Sequence, residues 1–152
     1  MGSESDQEHC KKIANTCKDL GVPCQLRVSS AHKGTQGTLS ILSQYEGSGV
    51  PTVFIAVAGR SNGLGPVLSG NTAYPVINCP PVKADNVDRD IWSSLAVPSG
   101  LGCTTVMYPE AAALAAAQIL GLTDHVIWSR LHVRALNNYL ALKVADEKLR
   151  NY

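Results

Sequence analysis

The 152 residues carry thirteen basic and twelve acidic side chains, a net charge of +1; no broad positive field exists to grip nucleic acid or an anionic membrane, so any anion must be held locally. The length suits one domain with a real core and leaves little room for a second. Charged residues make up 16% against 45% hydrophobic, a low surface charge for a solitary domain that predicts cover by other subunits.

From the amino terminus, Gly2-Ser3-Glu4-Ser5-Asp6 leads into apolar positions Cys10, Ile13, Ala14, Cys17 and Leu20 at helical spacing. Ser5 or Asp6 can cap that helix and Gly21 can end it. The run Cys24 to Val28 alternates apolar and polar residues, the pattern of a strand near a sheet edge. It delivers Ser29-Ser30-Ala31-His32-Lys33-Gly34, after which 35–45 reads as a helix stopped by Gly47-Ser48-Gly49. Residues 51–57 are continuously apolar and β-branched, as an interior parallel strand should be. They deliver Ala58-Gly59-Arg60-Ser61-Asn62-Gly63-Leu64-Gly65-Pro66. A short helix from Pro66 to Ser69 and a short strand over 74–79 follow, the latter closed by Pro80-Pro81. Asp85 or Asn86 can cap a helix to about Leu95; 103–107 reads as a strand and Pro109 to Leu120 as an alanine-rich helix. Thr123 can cap a last helix reaching about Arg150, about 40 Å long at 1.5 Å per residue. That exceeds what one small domain needs, and predicts packing on a neighbouring subunit. Helices alternating with strands make the class α/β: a three-layer, flavodoxin-like, doubly wound parallel sheet.

The five cysteines, Cys10, Cys17, Cys24, Cys79 and Cys103, include no C-x-x-C pair, which argues against a disulfide framework or zinc ribbon and for a reducing, cytoplasmic setting. No window has the eighteen or so apolar residues of a membrane span. In open α/β sheets ligands sit beyond the carboxyl ends of the strands, the side to which all three glycine-bearing loops fall.

The first loop offers hydroxyls and free backbone N–H groups at a helix start, a setting that suits phosphate, although Ser and Asp are also ordinary caps. Asp6 can accept bonds from ribose hydroxyls. In the second loop His32 brings an imidazole, a group neutral enough near pH 7 to serve as a base, and Lys33 an ammonium that can hold a carboxylate or phosphate. The third places Arg60, Ser61 and Asn62 after a buried strand, more donors than a solvated loop needs. Gly63-Leu64-Gly65 is no dinucleotide fingerprint and no P-loop occurs. His125 and His132 lie seven apart on the last helix without acidic or thiol partners, and read as structural, as His9 reads as an exposed helix residue. Cys10 and Cys17 read as core.

Taken together, Gly-Ser-x-Ser-Asp at 2–6, Ser-Ala-His-Lys-Gly at 30–34, Ala-Gly-Arg-Ser-Asn-Gly-Leu-Gly-Pro at 58–66 and Ser-Gly-Asn-Thr-x-Tyr-Pro-Val at 69–76 resemble the class II phosphoribosylaminoimidazole carboxylases. These form the carboxylase half of the animal bifunctional enzyme whose other half is the succinocarboxamide (SAICAR) synthetase. The resemblance covers essentially the whole chain. It implies a carboxy-lyase of de novo purine biosynthesis, which carboxylates 5-aminoimidazole ribonucleotide (AIR) with carbon dioxide to 4-carboxy-AIR (CAIR) without ATP, biotin or metal. Lys33 and Arg60-Ser61-Asn62, where class I enzymes usually carry an arginine and a second histidine, match the form that uses carbon dioxide directly.

The same resemblance implies the roles. Ser3, Ser5 and Asp6, with Gly2, would bind the phosphoribosyl part of AIR. Ser30, Ala31, Arg60, Asn62 and Leu64 would complete the substrate site. His32 would manage the ring-carbon proton, while Lys33, Ser61 and Gly63 would hold carbon dioxide and the carboxylate it becomes. A homo-octamer and a fused SAICAR synthetase domain are implied partners; nucleic acid and membrane are not. The family has an apolar strand just before Gly-Ser-x-Ser-Asp where this chain offers only Met1, so a strand trimmed from a longer polypeptide is expected. The rival readings are a flavodoxin-like domain binding flavin or another nucleotide without catalysis, and a non-catalytic assembly module.

Overall fold

Residues 53–58 alternate between two apolar layers, and that alternation builds the molecule. The computed structural model describes residues 1–81 and 87–152. Within it β1 (Phe54–Ala56), β2 (Val76–Asn78) and β3 (Thr104–Thr105) form a parallel sheet in the order β1-β2-β3. Phe54 pairs with Val76 and Ala56 with Asn78, while Ile77 pairs with Thr104.

On one face Val57, Ile77 and Cys79 pack with Cys10, Ile13, Cys17 and Leu20 of α1 (Gln7–Leu20) and with the alanines of α6 (Pro109–Leu120). On the other, Ala56, Ala58 and Val76 pack with Leu42 of α2 (Thr35–Glu46) and Leu64 and Leu68 of α3 (Leu64–Ser69). The expected three-layer α/β arrangement is therefore present. A buried side chain of the size of Ile77 or Leu42 contributes about 2 kcal/mol through removal from water. The alanine run of α6 lets α1 approach closely, and Gly21 ends α1 at φ 73°, a left-handed conformation that glycine adopts without penalty. The Arg130 guanidinium lies where a Gly21 side chain would stand.

Several boundaries differ from expectation. The helix read as ending at Leu95 is two short pieces, α4 (Val87–Asp90) and α5 (Trp92–Leu95); the caps Asp85 and Asn86 lie outside the described residues. α3 starts two residues before Pro66, because a proline fits the first helical turn, where its missing N–H is not needed. α7 (His125–Arg150) is capped by Asp124, whose carboxylate accepts from Val126 N and Ile127 N, and not by Thr123. From His132 onward every residue of α7 is exposed, Leu136, Tyr139, Leu140 and Leu142 among them.

The run Cys24 to Val28 is not a strand in this structure. Its nearest backbone pairing comes from Met1, whose amino group donates to Arg27 O (2.7 Å) and whose carbonyl accepts from Ser29 N (2.9 Å). Gly2 N reaches across to Val57 O at 2.9 Å. Met1 and Gly2 thus bridge residues 27–29 and residue 57 through backbone hydrogen bonds. Behind them lies a trench of about 1080 Å³ lined by Ile13, Cys17, Val22, Leu26, Val53 and Ile55. A strand needs neighbours along its length, and one residue of pairing is too little to hold 24–28 in a ladder.

Candidate active site

The glycine loop after β1 is the meeting point of the three loops read from the sequence. A methyl group placed on Gly63 would stand 2.5 Å from Nε2 of His32; the imidazole lies directly against that α-carbon, a contact only glycine permits. At the loop's start, Gly2 packs on Ala58, its would-be side chain 3.7 Å from the Ala58 methyl. The loop therefore touches the His-Lys segment at one end and the amino-terminal cradle at the other. None of Ser3, His32, Lys33, Ser61 or Gly63 lines the trench. Its apolar walls are sheet interior, and the chemistry lies with the loops.

Local hydrogen bonds shape each loop. In the cradle, Glu4–Asp6 is one 3-10 turn capped by Ser3, whose hydroxyl accepts from Ser5 N (3.3 Å) and Ser5 Oγ (2.9 Å). Ser3 and Ser5 are exposed and Asp6 is half-buried; the two hydroxyls bond one another, and Ser5 Oγ also reaches Asp6 Oδ1 at 3.5 Å. In the second loop Ser30 Oγ accepts from Lys33 N (3.3 Å), Ala31 is buried with its carbonyl taken by Thr35 Oγ1, and Ser29 and Thr38 hydroxyls meet at 2.8 Å. These bonds fix the backbone and leave the His32 and Lys33 side chains outward. Lys33 and Arg60 are exposed, and neither makes an ion pair among the described residues.

The third loop is held most tightly. Arg60 has φ 56°, uncommon for a residue with a side chain. Gly63 N closes onto Ser61 O at 3.1 Å. Asn62 is 4% exposed, and its amide spans inward from Gly65 N to Ser94 Oγ. Leu64, the first residue of α3, is buried in the cluster that holds Leu42 of α2 and Ala56 of β1. Of the residues expected at the substrate, the structure thus gathers His32, Lys33, Ser30, Arg60, Ser61 and Gly63 around one loop, and Gly2, Ser3, Ser5 and Asp6 beside its start. It turns the Asn62, Leu64 and Ala31 side chains into the interior.

Two features were not foreseen. Ser93 and Ser94 of α5 bond the glycine loop from thirty residues away, and no spacing signal in the sequence connects the two segments. His9, expected exposed, is half-buried with Nε2 3.2 Å from Cys79 Sγ. Its position in the first turn of α1 carries it over the end of β2, and burial lowers its pKa below the ordinary imidazole value. Burial likewise pushes the Cys79 thiol up to about 12. Cys10 and Cys17 are core, as read. His125 and His132 flank Trp128, ring centroids 5.5 and 4.0 Å away. No cluster of metal-binding side chains occurs among the described residues, and no helix among them is long and apolar enough to cross a membrane.

Comparisons with known proteins bear on this arrangement. The family model described as AIR carboxylase matches residues 1–139. The chain is 61% identical over 150 residues to the bifunctional phosphoribosylaminoimidazole carboxylase/succinocarboxamide synthetase of Homo sapiens, covering 99% of this chain and 35% of that protein. It is 40% identical to the phosphoribosylaminoimidazole carboxylase of Archaeoglobus fulgidus, covering 99% of this chain and 82% of that one. The crystal structure of Treponema denticola PurE superposes with a TM-score of 0.94 at 38% identity, over 98% of this chain and 94% of that one. The chain spans about a third of the length of the animal relatives it matches. A flavin-binding reading is not favoured by these likenesses. With the motifs, the parallel α/β sheet and the loop geometry in agreement, the chain belongs to the AIR carboxylase family.

Proposed function

We propose that this chain carboxylates AIR with carbon dioxide to give CAIR, without ATP. The observation that carries the reading is the His32 imidazole seated on Gly63, in a loop whose start touches the amino-terminal cradle. AIR is an enamine, already nucleophilic at the ring carbon that accepts the new carboxyl group. The protein has to orient it, hold a small apolar gas beside it, stabilise the carboxylate and remove one proton.

In this reading Ser3, Ser5, Asp6 and the N–H groups at the start of α1 bind the phosphoribosyl group. The ring carbon attacks carbon dioxide, forming one carbon–carbon bond. Electrons from one C=O bond move onto oxygen, where Lys33 and Ser61 hold the anion against Gly63. His32 then takes the displaced ring proton, which restores the aromatic imidazole and leaves CAIR and one proton. An ultraviolet assay with AIR and bicarbonate, without ATP, should show CAIR forming; no turnover by the assembled protein would refute the assignment.

The trench supports a further part of the proposal, that an apolar strand preceding Met1 completes the sheet as a single domain. Phe54 and Ala56 turn their backbone groups towards β2, so those of Val53 and Ile55 face the trench. The Met1 and Gly2 bonds set the register: the residue before Met1 would bond Ile55 O. A chain extended there by five or six apolar residues should melt several degrees higher. The exposed apolar side chains of α7 support assembly into an octamer, which sedimentation at micromolar concentration tests. A fused SAICAR synthetase and a cytoplasmic location complete the reading.

A further inference from the structure

We propose that Ser93 and Ser94 are positioning residues, two hydroxyl-bearing side chains that hold loop 60–65 in the shape that seats carbon dioxide beside His32. The inference rests on the carboxylase reading above. Ser93 Oγ lies 2.8 Å from Arg60 O, to which it donates, and accepts from Asn62 N at 2.9 Å. One hydroxyl therefore fixes both flanks of Ser61 and holds Arg60 in its left-handed conformation, which costs a side-chain-bearing residue about 1–2 kcal/mol. Asp90 O, at the end of α4, also lies 2.8 Å from Ser93 Oγ, so the single hydroxyl proton is shared between the Arg60 and Asp90 carbonyls.

Ser94 is 2% exposed, and its Oγ accepts from Asn62 Nδ2 at 3.1 Å. Asn62 Oδ1 in turn accepts from Gly65 N at 3.0 Å. The Ser94 carbonyl accepts from Thr105 Oγ1 (2.6 Å) and Asn78 Nδ2 (3.3 Å), so the clamp is anchored to β3 and β2. Asn78 Oδ1 has no hydrogen-bond partner among the described residues and stands 1.7 Å from where a Gly65 side chain would begin. Ser61 lies between the first pair of clamped residues and Gly63 between the second, and against Gly63 stands the His32 ring.

Carbon dioxide is uncharged and has three heavy atoms. Even at the ceiling of about 1.5 kcal/mol per heavy atom it brings little energy with which to order a loop. The loop must be shaped beforehand, and the serines of α5 do this without touching a reactant.

The test compares Ser93→Ala, Ser94→Ala and the hydroxyl-retaining Ser93→Thr in the assembled protein, measuring kcat, KM for AIR, KM for carbon dioxide and amide exchange in residues 60–65. Ser93→Ala and Ser94→Ala should lower kcat/KM for carbon dioxide about tenfold or more with KM for AIR within twofold of wild type. Amide exchange at Asn62 should quicken in Ser93→Ala and at Gly65 in Ser94→Ala, and Ser93→Thr should restore most of the activity. Wild-type kinetics in both alanine variants, or losses shared equally between the two substrates, would overturn the proposal. A wild-type protein that fails to carboxylate AIR would sink the carboxylase reading instead. Unchanged amide exchange in active alanine variants would sink the clamp alone.

Discussion

The amino-terminal cradle and the glycine loop sit side by side yet are built in opposite ways. Ser3 and Ser5 are exposed and bond one another, whereas residues 60–65 are tied through Asn62, Ser93 and Ser94 into the sheet. The difference follows from what each has to hold. A phosphate makes strong charge-assisted hydrogen bonds and can order flexible hydroxyls as it arrives. Carbon dioxide offers no such bonds, so its loop has to be finished before it enters.

That contrast can be broken most severely at His32. His32→Asn should lower kcat by about 10²–10⁴, the usual worth of a positioned acid–base group, with AIR still bound; near-normal turnover by that variant removes the imidazole from the mechanism. Next is Gly63→Ala. Its methyl group would occupy the space of the His32 ring, and a displacement of about 1 Å between reacting groups can cost about 10²-fold. Turnover should fall accordingly while the melting temperature changes little. Ser5→Ala probes the adaptable side. Loss of one hydrogen bond to a charged group, about 1.5–3 kcal/mol, should raise KM for AIR roughly tenfold or more, with kcat nearly unchanged. A fall in kcat instead would mean that the cradle, too, is part of the prebuilt geometry.

The smallest effect is one of pH, at His9 beside the cradle. Its folded pKa is lowered chiefly by burial, so the folded protein binds fewer protons there than the unfolded chain. The linked stability is present above the ordinary imidazole range near pH 6.5 and is lost as pH falls from there through the folded value. Melting curves between pH 7.5 and 5.5 should decline more steeply for wild type than for His9→Gln, and parallel slopes would contradict this.

How much of this was legible beforehand depended on whether a signal was local. Pro109 starts α6 where the sequence places it, and Gly21 ends α1 as read, because a proline start and a glycine stop act through their own backbones. The three loops could be identified because their residue types carry their chemistry. What could not be read was which way a loop side chain turns. Asn62 has the same donors whether it faces a substrate or Ser94, and only the tertiary fold decides. Thr123 and Asp124 are adjacent caps of similar propensity, and only the observed helix start chooses between them. The run 24–28 has a strand's alternation but lacks a neighbour to pair with, since sheet structure depends on pairing that no single segment contains.

A crystal structure with AIR bound tests the central claim most directly. The account predicts the phosphate on Ser3 and Ser5, the ribose hydroxyls on Asp6, the reactive ring carbon within reach of the His32 imidazole, and residues 60–65 unmoved. AIR bound away from that cradle, or a glycine loop that rearranges to receive it, would contradict the account.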